Sequence, residues 1–267
     1  MLAMPEGEPL VSLRNVEKDY RSLRPLRIQS LDIYPGESVA LLGPDRGAAE
    51  VIVNLITGAS LPDAGDVIVF GTSTREIADA ETWLAAMDRF GILSERVVVL
   101  DAFTVQQNLV LPFSVHVHDI PDELRTRVAQ LSDETGISSP MLMQSPAALG
   151  PGPRARIRLA KAIALDPQLL LAEHPNAQVD AAEASAFAAD LLNIATRRRM
   201  AMLVVTADRS FAHGVANRVL ELQPSTGELR LAASPSVHTP WNRTWIRLLK
   251  TIRGWSAEGN RRGERHD

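Results

Sequence analysis

The sequence predicts an α/β fold: a parallel sheet covered by helices on both faces, an antiparallel β part ahead of it, and a helical block inserted into it. Three observations predict this. Short apolar runs, "SVALL" (38–42), "PQLLLAEHP" (167–175) and "MAMLVVTAD" (200–208), alternate with segments of helical spacing, as strands buried on both faces do. Ahead of them, "LVSLRNV" and "LRIQSLDIY" within residues 10–34 alternate apolar and polar residues instead, the period of a half-covered strand. The region from 119 to about 160 carries helical periodicity and proline breaks but no strand pattern.

Taken in order, "LVSLRNV" (10–16) and "LRIQSLDIY" (26–34) read as strands, and "SVALL" as a buried one. "GPDRGAAE" (43–50) is a loop, and "AAEVIVNLITG" (48–58) a helix stopped by Gly58. "AGDVIVFG" is a short strand bounded by glycines, and "ADAETWLAAMDRFG" a helix. "SERVVVLDAFTVQQNLVLPF" (94–113) reads as a strand followed by a helix starting at Thr104. "DIPDELRTRVAQLSDETG" is an amphipathic helix, and "ISSPMLMQSPAALGPGP" is broken by four prolines and two glycines. "RARIRLAKAIAL" is a further helix whose arginines read as a solvated face. "DAAEASAFAADLLNIATRRR" is a long helix whose closing arginines suit the negative end of its dipole.

Bulk properties exclude several classes. The 267 residues are 45% hydrophobic, enough for a substantial core. A net charge of −4 argues against nucleic-acid binding. With no cysteine there are no disulfides or thiolate metal sites. His116 and His118 lack a third ligand nearby, so no protein-held metal site is expected. No apolar run approaches the ~20 residues of a membrane span, and the N-terminus lacks the pattern of a secretory signal. A soluble, cytoplasmic chain is expected.

The order of the motifs is specific. An apolar strand ends in Gly43 and leads through a short loop into a helix. "FTVQQNLVLPF" follows, then "LGPGPRARIRLAKAIALDPQLLLAEHP", "AQVD" and "VVTAD". Over roughly residues 8–232 this succession resembles the nucleotide-binding domain of ABC transporters. The resemblance implies a P-loop NTPase-like (RecA-like) core with an N-terminal antiparallel subdomain and a helical subdomain over about 104–160. It implies ATP and Mg²⁺ as ligands, and as partners a second nucleotide-binding domain, the same or different, and transmembrane permease subunits. The permease contact would run through the helical block and the 95–113 segment.

Carried over position by position, the resemblance puts Tyr20 where an aromatic stacks on adenine. Gly43, Pro44, Asp45, Arg46, Gly47, Ala48, Ala49 and Glu50 fall on the Walker A loop, G-x-x-x-x-G-K-[ST]. The second glycine is then Ala48, the lysine Ala49 and the magnesium-binding hydroxyl Glu50. Glu95 takes the place of the Q-loop glutamine. Leu149, Gly150, Pro151, Gly152 and Pro153 replace the signature LSGGQ, and Asp180 ends the D-loop. Glu173 stands for the Walker B aspartate, His174 for the catalytic glutamate and Ala207 for the switch histidine.

Phosphates in such loops are held by backbone N–H groups, a helix N-terminus and a lysine charge. Here the charge is gone and an acid is added. At ~4 Å and an effective dielectric of ~20, one unit pair is worth roughly 4 kcal/mol. The two changes together approach the ~8 kcal/mol of micromolar binding. Pro151 and Pro153 also remove two amide donors from the signature loop. No catalytic residue is assigned, and nucleotide binding is expected to be weak or lost. Tyr20 reads more readily as a packing residue than as an adenine platform, and His174 as a satisfied structural histidine rather than a base.

The last segment, "WNRTWIRLLKTIRGW", follows a linker over 233–240. Over 241–256 it puts Trp241, Trp245 and Trp255 on one helical face, with Arg243, Arg247, Lys250 and Arg253 on the others. That suits a membrane surface, a partner, or the domain itself. Residues 257–267 are polar. The reading is a pseudo-ATPase subunit with a structural or regulatory role, peripheral to the inner face of a membrane. A divergent working ATPase and a soluble adaptor without a transporter stand as alternatives.

Overall fold

The computed structural model describes residues 7–77 and 79–233. In chain order the elements are β1 (Val11–Lys18), β2 (Leu26–Ile33), β3 (Ser38–Leu42), α1 (Arg46–Ile56), β4 (Ala64–Val69) and β5 (Thr72–Ser73). Then come α2 (Ala80–Met87), β6 (Phe90–Leu93), α3 (Val105–Val110), α4 (Asp122–Glu134) and α5 (Pro151–Ile163). The rest are β7 (Leu169–Glu173), α6 (Ala181–Arg198), β8 (Ala201–Thr206), α7 (Arg209–Val215), β9 (Arg218–Leu222) and β10 (Leu229–Leu231). Apart from Ala233, the linker, helix and tail expected over 233–267 lie outside the described residues.

Two sheets form. The antiparallel one has the order β2-β1-β4-β5, and the larger one the order β10-β9-β3-β8-β7-β6. All pairs of the larger sheet are parallel except β10 with β9. The α/β class, the parallel sheet and the N-terminal antiparallel part are as expected.

Strand alternation divides the interior into two cores. Val39 and Leu41 of β3, Leu169 and Leu171 of β7, and Leu203 and Val205 of β8 face α1 and the antiparallel sheet. Their neighbours Ala40, Leu42, Leu170, Ala172, Met202 and Val204 face the helical block and α6. Both faces being covered, these strands read as unbroken apolar runs.

The strand expected in "SERVVVL" is not one. The sheet strand is the preceding Phe90–Leu93, and residues 95–104 are turn and coil. Val98 is 63% exposed, and its carbonyl accepts from the Lys161 ammonium at 2.7 Å rather than from a neighbouring strand. Gly91 is what suits β6 to its place. A Cβ there would lie 2.4 Å from the Ala162 carbonyl oxygen, so only glycine lets α5 close on the strand.

The arginines opening α5 are not a solvated face. Arg154 pairs with Asp101 at 2.8 Å. Arg156 donates to the Thr135 carbonyl at 2.9 Å and to Asp190 at 2.7 Å. Arg158 is half-buried with its Nε unpartnered. Burial pushes its pKa down, Arg154 adds to that, and Glu95 opposes it.

The helical block is stapled to α6 by Arg198 at that helix's end. Its guanidinium donates to Glu134 of α4 at 2.9 Å, to the Ile163 carbonyl of α5 at 2.8 Å and to Asp166 at 2.7 Å. The hydrogen bond from Arg198 holds the Glu134 carboxyl below its usual range, against the opposing effect of burial. A depressed carboxyl pKa stabilises the fold above the unfolded pKa of about 4.3. That stabilisation disappears as pH falls through the folded value. Glu134→Gln is expected to cost about 1–2 kcal/mol at pH 7, measured by urea unfolding. The difference from the parent should close progressively below about pH 4.

Candidate functional site

The loop after β3 begins with Gly43 at φ +113°, a conformation that favours glycine. Its N–H donates to the Thr206 carbonyl at 3.3 Å. Pro44 has no N–H to offer. Asp45 caps α1: its carboxylate accepts the Ala48 N–H at 2.8 Å, and its carbonyl accepts the Ala49 N–H at 2.9 Å. The helix starts at Arg46, so five of the eight motif positions are helical. The helix expected from residue 48 therefore begins two residues earlier, and the acid at its N-terminal end is Asp45.

Ala48 and Ala49 are buried, Ala49 completely, and they pack with Ile52 and Val53 in the core on the α1 side. The ring of Tyr20 covers Gly47, with a ring carbon 3.4 Å from where a Cβ would sit. Tyr20 is half-buried against the same core. The structure thus brings Tyr20 onto the loop itself as a packing residue.

Beside the loop lies a cavity of about 170 Å³ lined by Arg46, Glu50, Ser94, Glu95, Arg96, Glu173 and His174. Three carboxylates and two guanidiniums face it. Arg46 pairs with Glu95 at 2.9 Å. Arg96 donates from Nη1 to Glu50 at 2.7 Å and from Nε to Glu173 at 3.2 Å, and its Nη2 closes a second bond to Glu173. Glu173, at the end of β7, is only 8% exposed. Its charge needs a counter-charge, and Arg96 supplies it. The Arg96 backbone is fixed by a turn in which its N–H donates to the Ser94 hydroxyl at 3.0 Å.

Arg96 was not singled out in the sequence. Its signal was there: three acids at 50, 95 and 173 converging on one site demand cations, and Arg96 directly follows Glu95.

His174 stands at φ +42°, and its N–H donates to the Val205 carbonyl at 2.8 Å. Its Nε2 is buried without a hydrogen-bond partner, as is Oε1 of Glu95. Among the described residues the His174 backbone is tied and its Nε2 has no protein partner.

The loops after β7 and β8 are joined through residues the sequence reading did not name. Asn176 donates to Asp208 at 2.9 Å, and the Thr206 hydroxyl accepts the Asp208 N–H at 3.1 Å. Asp208 also caps α7 through the Phe211 N–H at 3.0 Å. Ala207, between Thr206 and Asp208, has only a methyl side chain. Asp180 caps α6 through its carbonyl alone, which accepts from Glu183 and Ala184, each at 2.9 Å.

Gly150 caps α5, and Pro151, Gly152 and Pro153 form its first turn, following Leu149. Prolines there remove N–H groups the helix does not use. The Glu183 carboxylate lies against Gly152, with an oxygen 2.1 Å from where a Cβ would be. Gly152 and Pro153 line a different cavity, of about 310 Å³, with Arg156 and Phe187. The structure therefore groups Arg46, Glu50, Glu95, Glu173 and His174 in one cavity, and leaves the signature positions outside it.

Residues 26–177 match the family model described as ABC transporter. The chain belongs to the ABC transporter family. It is 27% identical over 213 residues to the lipoprotein-releasing system ATP-binding protein LolD of Alcanivorax borkumensis, covering 78% of this chain and 92% of that protein. It is 26% identical to the sulfate/thiosulfate import ATP-binding protein CysA of Thermosynechococcus vestitus, covering 85% of this chain and 64% of that one. A bacterial ABC transporter cassette solved as a dimer superposes with a TM-score of 0.69 at 23% identity, covering 85% of this chain and 99% of that one. The fold is thus that of the ABC cassettes, and family membership implies ATP and Mg²⁺ as the family's ligands. No helix among the described residues is long and apolar enough to cross a membrane.

Because Asp45 satisfies an amide at the start of α1, Asp45→Ala is expected to lower stability by about 1 kcal/mol. Asp45→Asn should lose less, since asparagine caps nearly as well. Denaturant unfolding of the three proteins side by side checks both.

Proposed function

We propose that this chain is an ABC transporter subunit of the ATP-binding type whose nucleotide chemistry is impaired, and that its role is structural or regulatory. It pairs with another nucleotide-binding domain and docks on permease subunits, cytoplasmic and peripheral to the membrane. The relatives serve lipoprotein release in one case and sulfate or thiosulfate import in another. What carries over is the cassette's place in a complex, not a cargo.

The observation that carries the impairment is Ala49. It stands where the family pattern has its phosphate-binding lysine, and it is wholly buried in the core. No cation leaves the loop from that position. Arg46 is engaged by Glu95, and the Ala48 amide by Asp45. Phosphoryl transfer rests on positioning and charge neutralisation, and a triphosphate brought here meets Glu50, Glu95 and Glu173. The adjoining cavity of about 170 Å³ is also below the ~300 Å³ at which small-ligand clefts begin.

The test uses the purified full-length chain. Equilibrium dialysis with radiolabelled ATP and excess Mg²⁺ is expected to give a Kd weaker than about 1 mM, a binding free energy under ~4 kcal/mol. Phosphate release should equal the protein-free control. Saturable turnover abolished by Glu173→Ala would overturn the impairment. Affinity purification from native membranes is expected to bring down an intact ATPase and a permease. Recovery without any membrane protein would favour an adaptor that works outside a transporter.

A further inference from the structure

We propose that Arg96 is a built-in cation standing in the place of the divalent metal, and that it holds the segment 94–100 to the sheet without any ligand. This rests on the impaired reading above and assigns the work of the site to one residue.

The family's magnesium does not fit the residues present. The resemblance assigns the metal-binding positions to Glu50 and Glu173. Magnesium takes one or two carboxylates and keeps several waters in a tight octahedron. Here one planar guanidinium already spans both carboxylates, with two N–H groups on Glu173 and one on Glu50. That is the forked geometry in which arginine matches carboxylates. Glu173 is nearly closed to solvent, and the five charged groups around the cavity sum to −1. Replacing Arg96 with a neutral side chain leaves Glu50, Glu95 and Glu173 against Arg46 alone, a sum of −2. That is the charge one divalent ion neutralises.

The same residue is a mechanical tie. Beyond Arg96, the segment is bonded to the helical block. The Val98 carbonyl accepts from Lys161 of α5 at 2.7 Å. The side chain of Asn108 in α3 accepts the Leu100 N–H at 2.8 Å and donates to the Leu100 carbonyl at 2.9 Å. Two residues of this stretch bond the other way: Glu95 to Arg46 of α1 at 2.9 Å, and Arg96 to α1 through Glu50 and to β7 through Glu173, Arg96 being the one that reaches the sheet. It therefore links the two cores, and the link is complete in the chain by itself.

The experiment compares the full chain with Arg96→Met by amide hydrogen exchange over 94–100 and by Mn²⁺ titration followed by electron paramagnetic resonance. In the parent, exchange over 94–100 is expected to be slow and unchanged by Mn²⁺, Mg²⁺ or ATP, with no saturable Mn²⁺ signal. In Arg96→Met, exchange over 94–100 should speed up at least tenfold. A saturable Mn²⁺ signal should appear, and Mn²⁺ should restore the protection. Unchanged protection, or lost protection without a Mn²⁺ site, would overturn the proposal while leaving the impaired reading intact. Saturable Mn²⁺-ATP binding with turnover by the parent would instead sink the impaired reading itself. If Arg96→Met does not fold, Arg96→Lys and Glu50→Gln carry the test. Each should speed exchange over 94–100 in a folded chain without creating a Mn²⁺ site, and parent-like protection in both would refute the tie.

Discussion

A nearly buried carboxylate at the end of a central strand must be neutralised, and much of this site follows from how Glu173 is. Its strand, β7, lies between β8 and β6, so the acid is delivered to the carboxyl edge of the sheet with little water around it. An unpaired charge there would be costly enough to neutralise itself or loosen the strand end. Arg96 removes that cost. In doing so it fixes the path of the chain after β6, and it recruits Glu50 from α1 as the second acid on the same guanidinium.

The same logic recurs at the helix ends. An N-terminus exposes amide donors and a positive field that suits anions. In α1 the chain's own Asp45 takes the Ala48 amide. In α5, Glu183 from the neighbouring helix lies against the first turn at Gly152. At both ends an internal carboxylate sits where a phosphate-binding architecture would expose donors. These are short-range, geometrically fixed contacts, and they stabilise the apo chain directly.

The fold was legible in the sequence wherever one period dominated. The continuous runs of β3, β7 and β8 and the helical spacing of α1, α4 and α6 allow no other reading, because burial on both faces forces apolar residues at every strand position. The error in 94–100 has a clear cause. Three consecutive valines favour a strand, but a strand also needs a partner, and Lys161 and Asn108 offer side-chain bonds to this backbone instead. The site was legible as a set of positions and not as a set of contacts. The sequence shows that Glu50, Glu95 and Glu173 stand at family motif positions, and spacing brings them together. It does not show which arginine reaches across. Arg46 lies inside the motif and holds one acid, while Arg96, one residue past Glu95, holds two of the three.

The arrangement also bears on what a subunit of this kind can still pass on. Arg198 ties α4 and α5 to α6, and Arg96 ties the 94–100 segment, itself bonded to α3 and α5, to α1 and β7. The loops after β7 and β8 are tied to each other through Asn176, Asp208 and Thr206. A body fastened at two points resists rotation better than one fastened at a single hinge. On the proposed reading, a displacement imposed on the block by a bound partner would reach β7 and α1 through these contacts. Coupling of that sort needs a connected set of packed and charged contacts with differential affinity for the partner's states. It does not need hydrolysis in the same chain. The ion pairs of the site are compatible with the mechanical role proposed above.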